Sequence, residues 1–224
     1  MIESNEIFLD FDPRIALWCD SVGDTNDLAS LANYIIENKI NLISVSSEIV
    51  SFIWTCLEKT NVKIMVRYDF DLSMHNNIDK YVSDLSEQIN CAWKKGADGI
   101  QLFLRLKDLE RFVDTFMFVR DDLFFQHDLC IGIDIGEIGI SDWENVFAKL
   151  RAIRAKSLCL TLNEDMGNRS DFVGRVYGML QKWDFDGEVH FMLGNDYDRI
   201  DQVICLIESE QPELSNQVRF FLDY

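Results

Sequence analysis

Two prolines, Pro13 and Pro212, stand among 224 residues with only eleven glycines, and no stretch is low in complexity. Flexible linkers are built from such material, so its scarcity argues for one domain spanning residues 1–224. Positive charge is also short: 21 Lys+Arg face 39 Asp+Glu, a net charge of −18. A surface of that sign repels phosphate backbones and anionic lipid heads, so neither nucleic acid nor a membrane is an expected partner. No apolar run reaches the roughly 18 residues of a membrane span. The start, Met1-Ile-Glu-Ser-Asn-Glu6, lacks the basic n-region of a secretory signal. The six cysteines (19, 56, 91, 130, 159 and 205) form no CxxC and no zinc-ligand spacing. Scattered thiols fit a reducing compartment, and the cytoplasm is the expected location. Gly-x-Ser-x-Gly, P-loop and HExxH patterns are absent as well, which removes the commonest hydrolase, nucleotide and zinc-protease readings.

What the chain does have is apolar material, 48% of residues with 16 Phe, arranged in a strict alternation. Short apolar runs at Ile15–Asp20, Leu42–Ser47, Val62–Asp69, Gly99–Leu104, Leu129–Gly136, Leu158–Asn163, Val189–Gly194 and Val218–Asp223 read as eight strands. They recur every roughly 20–35 residues, one βα unit each. Helical stripes lie between them: Ile78, Tyr81, Val82, Leu85, Ile89, Ala92 and Trp93 in the third helix; Phe172, Val173, Val176, Tyr177 and Leu180 in the sixth; Ile200, Val203, Ile204 and Ile207 in the seventh. Ser141-Asp-Trp-Glu144 predicts a capping box at the start of the fifth helix. Eight strands with helical crossovers predict an α/β fold of (β/α)8 TIM-barrel type lacking the eighth helix, because strand eight runs to Tyr224. An open doubly wound sheet is the alternative, and Asp20-Ser-Val-Gly-Asp24 supplies no Gly-rich phosphate loop for it. Residues 1–13, with Ile7, Phe8, Leu9 and Phe11, are the expected cover for Val218, Phe220 and Leu222, together with a second subunit.

Helices cover the outer barrel face, so that face must be apolar and the other points inward. By this rule Ile131, Ile133 and Ile135 face out, leaving Cys130, Gly132, Asp134 and Gly136 inward. Applied to all strands, the rule gathers Asp20, Ser46, Arg67, Asp69, Gln101, Arg105, Asp134 and Asp223 at the carboxyl-terminal mouth, with Glu137 and Asn163 just above. Arg67 and Arg105 are expected to pair there with Asp69, Asp134 or Asp223, either as a structural network or as a polar ligand site. Low in strand seven, His190 reads as a hydrogen-bonded interior histidine, against a metal site with Asp134 and Asp20 or Asp223. Ser46-Ser47-Glu48 has no nearby base and reads as the cap of the second helix.

The stretch Gly132-Ile-Asp-Ile-Gly-Glu-Ile-Gly-Ile-Ser-Asp142 resembles the fifth strand and Glu-Thr-Gly-x-Leu turn of deoxyribose-phosphate aldolases. Three further stretches are similar to that family's third, fourth and seventh strands: Val62-Lys-Ile-Met-Val-Arg-Tyr-Asp-Phe70, Lys95-Gly-Ala-Asp-Gly-Ile-Gln-Leu-Phe103 and Val189-His-Phe-Met-Leu-Gly194. The resemblance spans roughly residues 60–200 and implies a class I aldolase barrel, with a Schiff-base lysine on strand six, a second lysine on strand seven and an aspartate on strand four. Here the family match puts Leu160 at the Schiff-base position, while alternation offers Thr161; Met192 and Gln101 stand at the other two. Of the ten lysines only Lys63 and Lys156 touch strands, both at the amino-terminal end. The glycines that hold the substrate phosphate in the family are reduced to Leu193-Gly-Asn-Asp196 and Phe220-Phe-Leu-Asp223. A resemblance to type I dehydroquinate dehydratases meets the same missing lysine.

The expected function is an aldolase-like barrel without Schiff-base chemistry, serving as a binding or assembly protein. The alternative is a lyase or isomerase acting on a small polar or phosphorylated carbonyl or sugar substrate. Its catalytic residues would be Asp134, Glu137 and Asp20, and its substrate-binding residues Ser46, Arg67, Asp69, Gln101, Arg105, Asn163 and Asp223. No cofactor or metal is implied. A small-molecule ligand and a homodimer or hetero-complex are the expected partners.

Overall fold

A computed structural model describes residues 12–19, 25–71, 78–116, 127–162 and 169–224. The strands are β1 (Ile15–Cys19), β2 (Leu42–Val45), β3 (Lys63–Phe70), β4 (Gly99–Leu104), β5 (Asp128–Asp134), β6 (Ser157–Thr161), β7 (Glu188–Met192) and β8 (Val218–Asp223). All pair in parallel and in chain order, and β1 closes onto β8 through Leu17–Leu222 and Trp18–Asp223. The described helices are α1 (Thr25–Glu37), α2 (Val50–Leu57), α3 (Ile78–Lys94), α4 (Leu106–Phe116), α5 (Trp143–Ala152), α6 (Arg169–Gln181) and α7 (Tyr197–Glu210). The chain is therefore a (β/α)8 barrel, as its strand–helix alternation predicts.

The alternation rule holds strand by strand. Ile100, Leu102, Ile131, Ile133, Leu158, Leu160, Val189, Phe191, Val218 and Phe220 all pack into the layer between strands and helices. A separate, smaller cluster fills the barrel axis: Ala16, Leu42, Met65, Cys130, Cys159 and Phe221, with Trp18, Phe103 and Met192 on its mouth side. Leu160 belongs to the outer layer and Thr161 to the mouth, which decides between the two readings of strand six.

Four local expectations are corrected. The capping box does not form. Asp142 occupies the N-cap of α5 without capping it, its carboxylate accepts from the Gly139 amide instead, and Glu144 reaches Lys182 at 2.6 Å. Ser46 does not cap α2: its hydroxyl donates to Glu48 at 3.1 Å, and the helix starts later, after an Ile49 cap position with no side-chain bond. Tyr177 is exposed, because it lies one position around α6 from the buried Phe172–Val176–Leu180 stripe. Last, β8 does not present an apolar patch. Val218 and Phe220 are buried within the chain alongside Val203, Ile207 and Leu214, and only Leu222 stays half-buried. Val203 and Ile207 lie on α7 and Leu214 in the turn Pro212–Gln217, so both elements share the buried cluster that holds Val218 and Phe220. Of the expected cover segment, residues 1–11 lie outside the described residues.

The axis also holds polar groups, and most find a partner, as burial demands, although Gln101 Nε2 has none. Ser44 donates to Gln101 Oε1. His190, 3% exposed, lies with Nε2 3.2 Å from Glu188 and Nδ1 3.8 Å from Cys130 Sγ, which makes it the interior histidine its position implies. Arg219 donates to the other Glu188 oxygen at 3.1 Å. Burial alone would lower the His190 pKa, but its bonds to Cys130 and Glu188 and their charges lift it to about 9. Burial would likewise raise the Cys130 thiol, and the bonds from Cys159 and His190 with the imidazolium charge bring it to about 5.

Two predictions follow from this packing. Phe220→Ala should cost about 3–5 kcal/mol in urea unfolding, since a fully buried ring leaves a cavity; a loss below about 1 kcal/mol would take β8 out of the core. The second concerns pH. The raised His190 contributes stability that is complete below its ordinary value of 6.5 and lost as pH rises through about 9. The lowered Cys130 contributes stability that is complete above its ordinary 9.0 and lost as pH falls through about 5. The two cancel between about 6.5 and 9, so stability should be level there and decline on acidification from about 6.5 towards 5. Urea midpoints across that range check this, and a level response from pH 5 to 7 would contradict it.

Candidate functional site

The mouth is open. It has two lobes that share Asp69, Phe103 and Thr161. One, about 370 Å³, is walled by Asp71, Arg105, Asp134 and Glu137. The other, about 420 Å³, is walled by Trp18, Ser46, Arg67, Tyr68 and Met192. Phe103 stands between them because β5 carries Gly132 opposite it: a Cβ there would come within 2.2 Å of the ring. Phe103 and Met192 form the floor and do not plug the space.

Each charged group is set by what its strand end offers. Asp134 closes β5, and its carboxylate accepts from the Gly136 amide at 2.7 Å, which turns the chain into the short helix Ile135–Glu137. That turn carries Glu137 across to the Leu106 amide at 2.5 Å, where it satisfies an orphan N–H at the start of α4. Arg105, one residue past β4, pairs with Asp71 at 2.6 Å and Asp108 at 3.2 Å. Arg67 lays its guanidinium 3.7 Å over the Trp18 ring and donates to the Cys19 carbonyl at 2.6 Å. Trp18 is held in turn by edge contacts with Phe103 and Phe221. Arg105 thus takes Asp71 and Asp108 rather than the expected Asp69, Asp134 or Asp223, and the contacts of Arg67 include the Trp18 ring and the Cys19 carbonyl. Both side chains are long enough to reach beyond their own strand, Arg105 to Asp71 just past β3 and Arg67 to the end of β1, two strands away.

The structure brings Ser46, Arg67, Asp69, Arg105, Asp134 and Glu137 together at the mouth. Gln101 sits one layer below, fully buried against Ser44, and lines neither lobe. Asp223 is exposed at the end of β8, beside Gly194 (φ +59°), where an added Cβ would come within 2.9 Å of its carboxylate. Asp20 and Asn163 lie outside the described residues. His190 bonds at the amino-terminal half of the barrel, so among the described residues it does not join Asp134 in a metal set. Trp18 and Asp71 were missed as site residues. Strand alternation places Trp18 inward between Ala16 and Asp20, whereas Asp71 lies beyond β3, where the period gives no signal. Asp69 is the carboxylate common to both lobes; Tyr81 donates to its main-chain carbonyl at 2.8 Å, and no described residue bonds to the carboxylate itself.

No protein-family model matches the sequence, and no curated protein does. Solved structures share its fold. Deoxyribose phosphate aldolase from Aeropyrum pernix superposes with a TM-score of 0.67 at 12% identity, over 94% of this chain and 85% of that one. The copper homeostasis candidate CutC from Streptococcus agalactiae gives 0.68 at 11%, over 95% and 98%. Dihydrodipicolinate synthase from Bacillus clausii gives 0.59 at 11%, over 96% and 68%. At such identities the likeness is one of fold, and it covers aldolases and a protein of a different kind alike.

The two arginines should differ on substitution. Arg105→Ala removes exposed ion pairs and should shift stability by no more than about 1 kcal/mol. Arg67→Ala strips a charged bond from a carbonyl and a cation from an aromatic face, and should cost about 1.5–3 kcal/mol. Equal urea midpoints for the two variants would contradict this assignment.

Proposed function

We propose that this chain is an aldolase-like barrel that binds a small polar molecule at its carboxyl-terminal mouth and carries out no Schiff-base chemistry. The open two-lobed cavity around the uncommitted Asp69 carboxylate is the observation that supports the reading. Strand six offers Cys159 and Thr161 to the interior, with no lysine between Ser157 and Glu164. Lys63 and Lys156 line the opposite end. In the first lobe Asp69, Asp71, Asp134 and Glu137 outnumber Arg105, so phosphate is repelled and hydroxyl or ammonium donors are favoured. The ligand class is therefore a polyol or amino-polyol. Carboxylate acid–base catalysis by Asp134 and Glu137 is the second reading, because both line that lobe. Both carboxylates already accept from backbone amides, which favours binding over turnover. Assembly into a homodimer or hetero-complex belongs to the proposal too, and light scattering at low micromolar concentration reads it.

Calorimetric titration with neutral polyols, amino-polyols and sugar phosphates tests the reading. One of the first two classes should bind, and Asp69→Asn should weaken it by about tenfold, the loss of one charge-assisted bond. Preferential binding of a sugar phosphate, or a borohydride-trapped adduct with an aldehyde, would overturn it.

A further inference from the structure

The amino-terminal end of the barrel holds a cavity of about 420 Å³ that shares no residue with either lobe of the mouth. Its walls come from the early residues of β2, β3, β5, β6, β7 and β8, so only the closed barrel forms it. The inward faces of those strands give the floor, where Leu42, Met65, Ser157 and His190 are all buried. Above them stand Lys63, Lys156 and Arg219 with Asp128 and Glu188. Pairing among these charges is unequal. Asp128 is held by Lys63 at 2.9 Å. Glu188 is held twice, by Arg219 at 3.1 Å through one oxygen and by His190 Nε2 at 3.2 Å through the other. Both carboxylates are therefore engaged, and one cation is left over. Among the described residues the Lys156 ammonium has no ion pair and no hydrogen bond. Its backbone is nonetheless fixed on both sides, the amide donating to Leu129 and the carbonyl accepting from Glu188.

We propose that this cavity is a second binding site, which takes a small organic monocarboxylate with its carboxylate on Lys156 and its apolar body over Leu42 and Met65. The volume lies within the roughly 300–1,000 Å³ of ligand pockets, and a floor that is partly apolar beneath a few convergent polar groups is their usual construction.

The charge balance selects the ligand class. One uncommitted cation matches one negative charge. A phosphate dianion needs a second, and taking Lys63 or Arg219 would leave Asp128 or Glu188 without its partner beside the ligand. A cationic ligand meets Lys156 and finds both carboxylates already engaged. Inorganic anions have nothing to set against Leu42 and Met65, whereas a short carbon chain removes that surface from water. Hydrogen-bond donors without charge complete the wall, from Asn41, Asn61 and Ser157. The surplus is local, because the chain as a whole carries a net charge of −18. An anion reaches this end against the field of the whole protein, so the affinity should strengthen with added salt that screens that field.

Calorimetric titration of the full chain at neutral pH tests the site, with short straight-chain monocarboxylates beside the matching alcohols, the matching amines and inorganic phosphate. At least one carboxylate should bind at a single site, about tenfold or more tighter than its alcohol, its amine or phosphate. Lys156→Gln should weaken it by about tenfold, and Lys156→Arg, which keeps the charge, should restore it. Lys156 is exposed, so neither variant disturbs the core. Asp69→Asn, which weakens a ligand of the mouth, should leave the carboxylate unaffected, so the two sites fail independently. Backbone amide resonances of Leu42, Ser157 and Glu188 should move during the titration, and those of Asp69, Phe103 and Thr161 should not. Absence of binding by every carboxylate, a preference for phosphate or amine, an affinity indifferent to Lys156→Gln, or shifts gathered at the mouth would each overturn the proposal.

Discussion

A parallel strand wrapped by helices has to hide one face completely, and nearly everything else in this barrel depends on that requirement. The hidden face can hold only side chains with nothing to solvate, which is why Ile100, Ile131, Leu160 and Phe220 line it. Polar groups are confined to the other face. There they meet one another along a single axis, because eight strands close on themselves. Chemistry is thereby restricted to two places, the ends of that axis.

The two ends differ in what they hold. The carboxyl-terminal mouth keeps its space open, with an acidic lobe beside a lobe built on Trp18 and Arg67. Its catalytic candidates are partly spent on local geometry, since Asp134 turns the chain and Glu137 closes α4. The amino-terminal end carries the more unusual electrostatics, a buried imidazole between a thiol and a carboxylate. Barrel enzymes concentrate function at the mouth and stability at the base. In this chain the base holds a histidine raised to about 9 and a thiol lowered to about 5.

The barrel was legible in the sequence because strand alternation has a period of two and a buried outer face leaves no ambiguity about register. Thr161 rather than Leu160, the interior His190 and the inward Met192 all came from that one rule. Its reach ends where strands end. Arg67 and Arg105 were placed at the mouth, yet their partners depend on the rim beyond the last paired residue, where long flexible stems choose among several acceptors. Gln101 lies a layer deeper than expected for the same reason: alternation gives the face but not the depth. The Ser141–Glu144 pattern failed because Asp142 bonded back to Gly139 and Glu144 outward to Lys182.

The claim that the mouth receives a small hydroxylated or aminated ligand is tested most directly by following backbone amide resonances during a titration with an amino-polyol. Shifts should gather on residues at the ends of β3, β4 and β6, around Asp69, Phe103 and Thr161, and saturate with a single affinity. Shifts confined to the amino-terminal end near Lys156 and Glu188, or none at saturating ligand, would contradict it.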